Sequence, residues 1–255
     1  MTVAFGRWVH RAGLLLMILG GLTIVWGVVV WQWEDPFTAL YTTYEQHELS
    51  SSYDHRAKSF HLEPVQHLLA PVRSDAVSKA ARAARAEQAA QALIAAEKTA
   101  IRVDARRYQL ASHEGSALGR IVVHRLGLNM IFLDGTDESS LERGPGRDLQ
   151  TSMPGENRLV YIAGHRTTFL APFSHIDALR AGDEITLELP YATFIYRVTR
   201  HVIVPATDLS VLRPGTQELL ALQACHPRFF ATHRYIVYAR PMSITPKLKS
   251  ALPYK

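Results

Sequence analysis

Hydrophobic residues near the N-terminus form one unbroken run. No charged side chain occurs between residues 12 and 33, and the run reads GLLLMILGGLTIVWGVVVW. A helix needs roughly 20 consecutive apolar residues to cross a hydrocarbon core, which is about the length of this stretch. The pattern therefore predicts one membrane-spanning helix.

The charges on either side of this run predict its direction. Arg7 and Arg11 precede the run, whereas Glu34 and Asp35 follow it. Because positive residues remain on the cytoplasmic side, we expect a cytoplasmic N-terminus and an extracellular remainder. The bulky residues after the run do not resemble the small-residue cleavage site of a signal peptide, so we predict an uncleaved, single-pass anchor in the cell membrane.

Two segments of different composition follow the predicted anchor. Residues 36–74 mix Pro, Ser, His and aromatic residues without clear periodicity, whereas residues 75–107 are dominated by Ala with Arg, Glu, Gln and Lys. The second composition strongly favours helix. We expect a solvated helical spacer or a weak coiled-coil stalk that buries little surface, because large apolar side chains are few. These are Val77, Leu93, Ile94 and Ile101.

From about residue 111 the pattern changes to short runs rich in Val, Ile, Tyr, Phe and Leu, separated by Gly, Pro and Asp. Such runs predict strands and turns. Apolar and polar residues alternate most clearly from Ile185 to Leu189, as in a sheet with one buried face. The predicted strands are 119–126, 129–134, 157–164, 184–189, 192–204, 217–224 and 233–240, with short helical turns at 137–143 and 175–180.

These elements predict an all-β fold, a closed barrel of seven to eight strands with short helices, preceded by a transmembrane helix and a helical stalk. Closure of the barrel would remove exposed strand edges. The predicted divisions are 1–33 for the cytoplasmic tip and anchor, 34–110 for the linker and stalk, and 111–255 for the barrel domain.

Composition narrows the range of functions. The 255 residues carry a net charge of +5, but the basic residues are scattered and do not form a cluster interleaved with aromatic residues. We therefore expect no binding to nucleic acid. The single cysteine, Cys225, excludes an intrachain disulfide and is either a reactive thiol or a buried small hydrophobic residue.

The position of Cys225 is equally consistent with a reactive thiol and with a buried one. It ends the strand-like run LLALQAC, and His-Pro follows immediately, so the chain must turn where the thiol appears. A reactive thiol needs a partner that takes its proton. His165 closes the strand-like run LVYIAG beside Gly164, a residue that permits close backbone approach and an unusual backbone angle. His226 is a weaker partner, because neighbouring strand residues point to opposite faces.

A fixed positive charge is the third element, because attack of a thiolate on an amide creates an oxyanion. Arg234 begins the strand after the Cys225 turn, and a hairpin of this length would bring the two close together. Arg228 and Arg166 are the next candidates. The scattered histidines and the single cysteine lack the spacing of a zinc site, and no phosphate-binding glycine loop occurs, so we expect neither a metal nor a cofactor.

Three segments together resemble the sortase family, most closely the class E sortases of actinobacteria. They are PGENRLVYIAGHRTTFLAPFSHIDALRAGDEI, ALQACHPRFFATHRYIVYAR, and LGRIVVHRLGLNMIFLDGT followed by LERGPGR. The resemblance covers roughly residues 117–242. It implies that Cys225 is the nucleophile, His165 the acid and base, and Arg234 the residue that steadies the substrate carbonyl and the oxyanion.

The sequence departs from the family at one place. Sortases usually have Thr-Leu-x-Thr-Cys, whereas this chain has Ala221 and Ala224 in place of the two threonines. In the family, the threonine next to the cysteine is thought to help hold the substrate. Ala224 therefore bears on the choice of sorting signal, while the chemistry of the thiol is retained.

The resemblance implies a cysteine transpeptidase that cleaves an LPxTG-like or LAxTG-like sorting signal. Its expected partners are surface proteins with a C-terminal sorting signal and an amine of a peptidoglycan precursor or a pilin lysine. Two alternatives remain open from the residues: a membrane-anchored cysteine hydrolase that releases its acyl group to water, and a non-catalytic wall-binding domain in which Cys225 is inert.

Overall fold

A closed eight-stranded barrel follows the N-terminal helices in the computed structural model, which describes residues 2–32, 36–63 and 79–247. The α-helices of these residues are α1 (Thr2–Gln32), α2 (Pro36–Ser59), α3 (Lys79–Leu110) and α4 (Glu138–Leu141). The strands are β1 (Ala117–Val123), β2 (Leu128–Asp134), β3 (Gly146–Arg147), β4 (Leu159–Ala163), β5 (Glu184–Glu188), β6 (Ala192–Pro205), β7 (Leu219–His226) and β8 (His233–Pro246).

The strands follow the order β1-β2-β3-β4-β7-β8-β6-β5 around the barrel, and β5 pairs with β1 to close it. Strands β4 and β7 run parallel, whereas β7 and β8 form an antiparallel hairpin. The carboxyl ends of β4 and β7 therefore meet at one end of the barrel, where β8 begins.

The predicted closed barrel with short helices is confirmed, and each predicted strand overlaps an observed one. Two details differ. Residues 124–126, predicted as the end of a strand, form a 3-10 turn that closes on Gly127 with a φ of 63°. The two-residue strand β3 is too short to produce an alternating pattern, and it pairs with both β2 and β4. The predicted helical turns correspond to α4 and to a 3-10 helix at Ile176–Ala178.

The barrel interior follows the alternation seen in the sequence. In β5, Ile185 and Leu187 are fully buried, whereas Thr186 and Glu188, which alternate with them, are not. Burial of a large aliphatic side chain contributes about 1.5–3 kcal/mol. One continuous core cluster collects interior side chains from most of the strands, including Ile121, Phe132, Val160, Leu187, Phe194, Leu222 and Val237.

Helix α1 contains the apolar run identified in the sequence. The segment His10–Val29 has a mean hydropathy of 2.3, and none of that window is buried against the rest of the protein. By length and composition this helix is able to cross a membrane.

Helix α2 was not predicted. Residues 36–59 show no clear periodicity in the sequence, yet they form a helix. The side of α2 that faces the barrel mixes polar with apolar residues, so its periodicity is hidden from a hydrophobicity pattern. The Gln46 side chain donates to the backbone oxygens of Ile131 and Arg143 at 2.9 and 2.8 Å, and accepts from the Ile131 N–H at 2.7 Å. Leu49 and Tyr53 on the same side are buried.

Residues 79–107 lie in helix α3, which confirms the predicted helix over these residues. The expectation of a solvated spacer is only partly correct. Leu93 and Ile94 are exposed as expected, and Val77 lies outside the described residues. In the second half of α3 the small residues Ala96, Ala100 and Ala105 allow close packing on the barrel. Ile101, Ala105 and Tyr108 join the main core cluster. Alanine therefore acts here as a packing residue as well as a helix former.

Candidate active site

Cys225 and Arg234 are directly opposite each other on neighbouring strands. Residue 225 on β7 pairs with residue 234 on β8 in the antiparallel register of the hairpin. Cβ atoms of such opposed residues lie about 4.5–5.5 Å apart. The hairpin expected from the sequence therefore places the thiol and the guanidinium group on adjacent strands, and Cys225 is half-buried.

Both side chains belong to the outer face of the barrel. Leu222 and Ala224 of β7 lie in the interior core, and so does Tyr235 of β8. Since strand residues alternate between faces, Cys225 and Arg234 lie on the opposite, outward side. Their face also carries Ala221 and Ile236, which belong to an outer hydrophobic cluster.

His165 directly follows the end of β4, the other neighbour of β7. Ala163 pairs with Gln223, and the Gly164 N–H extends this pairing by donating to the Gln223 oxygen at 3.0 Å. Continuing the parallel register by two residues sets His165 beside Cys225. The structure thus brings all three sequence-predicted site residues to one end of three adjacent strands, β4, β7 and β8.

The imidazole of His165 is held in an apolar environment. Its ring packs against Phe169, with 5.2 Å between ring centroids and an interplanar angle of 37°. Its Nε2 atom is buried and has no hydrogen-bond partner among the described residues. Burial lowers the pKa of His165 below its usual value of 6.5, although the charges of Glu142 and Glu138 oppose that shift. This environment favours the neutral ring.

The packing of the loop after His165 explains why a glycine stands at position 164. A Cβ atom on Gly164 would lie 2.7 Å from the Phe173 ring, so the close approach expected at this position is present. The unusual backbone angle expected beside it lies farther along the loop. Phe169, Leu170 and Ala171 have φ values of 53°, 57° and 34°. Three consecutive residues with side chains in this region are unusual, and such strain often accompanies functional sites.

Arg166, a reserve candidate from the sequence, serves to fix the strand end. Its side chain is 4% exposed, pairs with Asp177 at 3.0 Å, and lies over the Tyr235 ring. Its Nη1 donates to the Cys225 backbone oxygen at 3.3 Å and lies 2.9 Å from His226 Nδ1. The guanidinium of Arg166 is therefore already occupied, and His226 is engaged away from the thiol face.

Arg234 makes fewer contacts. It is half-buried, and its Nη1 donates to the backbone oxygens of Ala231 and His233 at 2.8 and 3.1 Å. These bonds stay within the β7–β8 turn and involve one of its three guanidinium nitrogens. Arg228, the other reserve candidate, has a buried Nε without a hydrogen-bond partner among the described residues.

The two alanines that replace the family's threonines occupy different surroundings. Ala224 is fully buried in the barrel interior, so it does not line the Cys225 face. Ala221 lies on the outer face beside Tyr161 and Tyr238. Val211 and Leu212, from the 3-10 helix between β6 and β7, pack against this outer cluster.

This arrangement has the components of acyl transfer through a thiol. A thiol supplies a nucleophile, a neighbouring imidazole carries a proton, and a guanidinium stabilises developing negative charge. Sequence reasoning missed Phe169 and the clamp formed by Arg166 and Asp177. Neither has a local signal, because both contacts depend on how the loop from residue 165 to residue 178 folds back on the strand ends.

The chain is similar to known sortases. The model of the sortase domain matches residues 121–242. The chain is 31% identical to sortase D of Bacillus subtilis over 130 residues, which is 49% of this chain and 64% of that protein. It is 32% identical to the sortase SrtE1 of Streptomyces coelicolor over 113 residues, 40% of this chain and 32% of that protein. The chain thus spans less than two thirds of the length of either relative.

Among solved structures, the SrtF sortase from Corynebacterium diphtheriae superposes with a TM-score of 0.51 at 24% identity. The match covers 56% of this chain and 93% of that structure. This likeness supports the barrel fold.

Proposed function

We propose that the chain is a membrane-anchored cysteine transpeptidase of the sortase family, whose domain model matches residues 121–242. Cys225 is the nucleophile, His165 the proton carrier and Arg234 the oxyanion stabiliser. The observation that carries the proposal is the shared register: Cys225 opposes Arg234 across the hairpin, and His165 follows the strand that pairs with β7 on its other side.

The reaction proceeds as two acyl transfers. The neutral imidazole of His165 takes the proton of the Cys225 thiol, and the resulting thiolate attacks a carbonyl carbon of the sorting signal. The guanidinium of Arg234 stabilises the oxyanion that forms. Collapse of this intermediate breaks the peptide bond, and the imidazolium of His165 gives its proton to the leaving amine. The thioacyl group is then attacked by an acceptor amine, whose proton returns to His165 as the thiolate leaves.

The proposed donor is a surface protein with a C-terminal LPxTG-like or LAxTG-like signal. The proposed acceptor is an amine of a peptidoglycan precursor or a pilin lysine. Tyr161, Ala221 and Tyr238 form a buried apolar cluster next to Cys225, covered by Val211 and Leu212. We therefore place the scissile bond of the donor peptide at the strand end, where Cys225 is half-buried, and not along the outer face of the sheet.

The test of this function is capture of the acyl enzyme. We expect the wild-type protein, incubated with LPxTG and LAxTG peptides in the absence of amine, to gain the mass of the N-terminal peptide fragment at Cys225. Addition of an amine should release this fragment as an amide. Mass spectrometry of the intact protein measures both steps.

Cys225→Ala is the control, and it should abolish both the adduct and cleavage while the protein remains folded. Cleavage by the alanine variant would exclude a thiol mechanism. Release of the fragment as a free acid at the same rate with and without amine would identify a hydrolase instead. Failure of a thiol reagent to modify Cys225 in the folded protein would favour an inert wall-binding domain.

We further propose that α1 spans the membrane with its N-terminus in the cytoplasm, on the basis of Arg7 and Arg11 before the run and Glu34 and Asp35 after it. Protease added to intact spheroplasts should then digest the barrel domain. Protection of this domain, in a sample where another outer-face protein is cut, would show the opposite orientation.

A further inference from the structure

Helix α2 reaches the loop that follows His165. The backbone N–H of Phe169 donates to Thr38 Oγ1 at 3.1 Å, across more than 100 residues of sequence. One turn farther along α2, the Tyr41 ring meets the Phe169 ring edge to face, with 6.5 Å between centroids and an interplanar angle of 73°. Phe169 in turn packs on the imidazole of His165. A chain of contacts therefore connects α2 with His165.

The loop needs support from outside. Phe169 begins the three consecutive residues with positive φ, a conformation that residues with a Cβ atom adopt only when surrounding contacts impose it. Within the loop, the Ala171 N–H donates to the Thr168 oxygen at 2.8 Å, and the Phe173 N–H donates to the His165 oxygen at 3.1 Å. The Phe169 N–H, in contrast, donates to Thr38 in α2.

Helix α2 is itself firmly attached to the barrel, so it can act as a support. Thr42 is fully buried and its hydroxyl donates to the Glu142 backbone oxygen at 2.8 Å. Glu45 pairs with Arg143 at 2.7 Å, and the Gln46 amide bonds to β2 as described above. The residues directly after Tyr41 are thus held in place relative to the β-barrel.

From these contacts we propose that α2 braces the catalytic histidine: Thr38 and Tyr41 hold Phe169 against the imidazole of His165, which makes these three residues positioning residues for the transfer reaction. The inference rests on the role proposed above for His165. Phe169 covers one side of the imidazole, so the direction of the ring and its access to water depend on a helix that lies outside the barrel.

The charged and titratable groups around His165 are few. Glu138 of α4 and Glu142 just after α4 act on it, and both favour the protonated ring. Cys225 and Arg234 lie beside it on β7 and β8 by register. Burial outweighs the effect of the two glutamates. Removal of the brace should hydrate the ring, and the pKa of His165 should then rise toward 6.5.

The test uses the full-length protein in detergent and compares Tyr41→Ala and Phe169→Ala with Tyr44→Ala. Tyr44 is a matched control on the same helix, since it is exposed and its hydroxyl donates to Glu48 of α2 at 2.9 Å. The pKa of His165 is measured from the pH dependence of exchange of its imidazole C2 proton, followed by mass spectrometry of the peptide that contains it. Peptide transfer gives kcat and KM separately.

We expect Tyr41→Ala and Phe169→Ala to raise the pKa of His165 and to lower kcat about tenfold, since a small displacement of a catalytic group can cost up to about 100-fold. KM should change less than kcat, because both substitutions act through the imidazole of His165 and leave Cys225 and Arg234 in place. Tyr44→Ala should match the wild type in both measurements. Tyr41→Phe keeps the ring contact and should restore the wild-type values, which separates the brace from a general loss of folding.

An unchanged pKa together with an unchanged kcat in Phe169→Ala would overturn the brace. Equal effects of Tyr41→Ala and Tyr44→Ala would overturn it as well, because the cause would then be a general loss of stability of α2 and not the contact between Tyr41 and Phe169. The exchange measurement needs no enzyme activity. A shifted pKa in a protein that transfers no peptide would therefore refute the proposed function and leave the brace intact.

Discussion

The two ends of the parallel pair formed by β4 and β7 differ in how their polar groups are satisfied. At the amino end, the Glu218 carboxylate is 8% exposed and accepts from Tyr196 at 2.5 Å and from the N–H groups of Gly155 and Asn157 at 3.0 and 3.3 Å. At the carboxyl end, the buried Nε2 of His165 has no partner among the described residues, and the following loop holds three side-chain-bearing residues at positive φ.

This difference separates structural from reactive use of the same strands. A buried polar group with all its partners stabilises one conformation, whereas an unpaired group costs about 1–3 kcal/mol and persists only where something else selects it. The amino end connects the β3–β4 loop to β6 through Glu218. At the carboxyl end, we propose that the imidazole of His165 and the guanidinium of Arg234 act on the substrate.

The same contrast occurs within the carboxyl end, between two arginines near Cys225. Arg166 is nearly fully buried, and Asp177, His226 and the Cys225 oxygen occupy its guanidinium. Arg234 is half-buried and bonds to backbone oxygens through one nitrogen. Arg166 therefore holds the strand end, and we propose that Arg234 uses its remaining donors for the oxyanion.

The largest expected effect comes from Arg234→Lys. Lysine keeps the charge but loses the planar fork of donors, so the acylation rate should fall on the order of 100-fold or more, about 2.7–4 kcal/mol. Rapid-quench measurement of acyl-enzyme formation tests this. Arg200→Lys is the matched control, because Arg200 lies over the Tyr238 ring at 4.2 Å and has no place at the rim. Unchanged acylation in Arg234→Lys would remove Arg234 from the mechanism.

An intermediate effect is expected from Glu218→Gln at the opposite end. The amide cannot serve all the donors that the carboxylate accepts, so the free energy of unfolding should fall by about 1–3 kcal/mol. Thiol reactivity at Cys225 should remain unchanged. Denaturant unfolding of the barrel domain measures the first quantity, and alkylation rates measure the second.

Glu184→Gln is the control for Glu218, because Glu184 forms an exposed ion pair with Arg197 at 3.5 Å. Its loss should cost no more than about 1 kcal/mol. If both variants lost the same free energy of unfolding, the buried hydrogen bonds of Glu218 would contribute no more than an exposed ion pair, and the proposed difference between the two ends of β4 and β7 would be wrong. A slower alkylation rate in Glu218→Gln would show that the ends are coupled.

The smallest effect concerns pH. Burial places the pKa of His165 below 6.5 in the folded protein, so the unfolded chain binds more protons as the pH falls below that value. The stability contributed by the neutral ring is present above about pH 6.5 and is lost on acidification, by at most about 1.4 kcal/mol per pH unit. His165→Gln removes this dependence.

The difference in thermal midpoint between wild type and His165→Gln should therefore change between pH 7.5 and pH 5. Comparing two proteins cancels the titration of the other acidic groups. A constant difference across this range would mean that the imidazole titrates alike in the folded and unfolded states, and that its burial has no energetic consequence.

Much of the barrel could be predicted from local patterns, since each strand alternates along its own length and is bounded by Gly, Pro or Asp. Helix α2 could not be predicted, because Thr42, Gln46 and Arg56 face the barrel among apolar residues and hide the period. The packing of α3 was missed for a related reason: Ala96 and Ala100 are indistinguishable in sequence from alanines such as Ala89 and Ala90, which are exposed. The division of the chain into anchor, stalk and barrel domain stays a prediction.

By itself, the sequence determined the apolar run of α1, the strand succession of the barrel, and the candidate residues Cys225, His165 and Arg234. These depend on periodicity and residue type along the chain. Only the tertiary structure decided that Cys225 opposes Arg234, that Arg166 is occupied by Asp177 and His226, and that α2 reaches Phe169. The physical reason is that register, burial and partner choice arise between segments far apart in sequence, where no local pattern records which side chains meet.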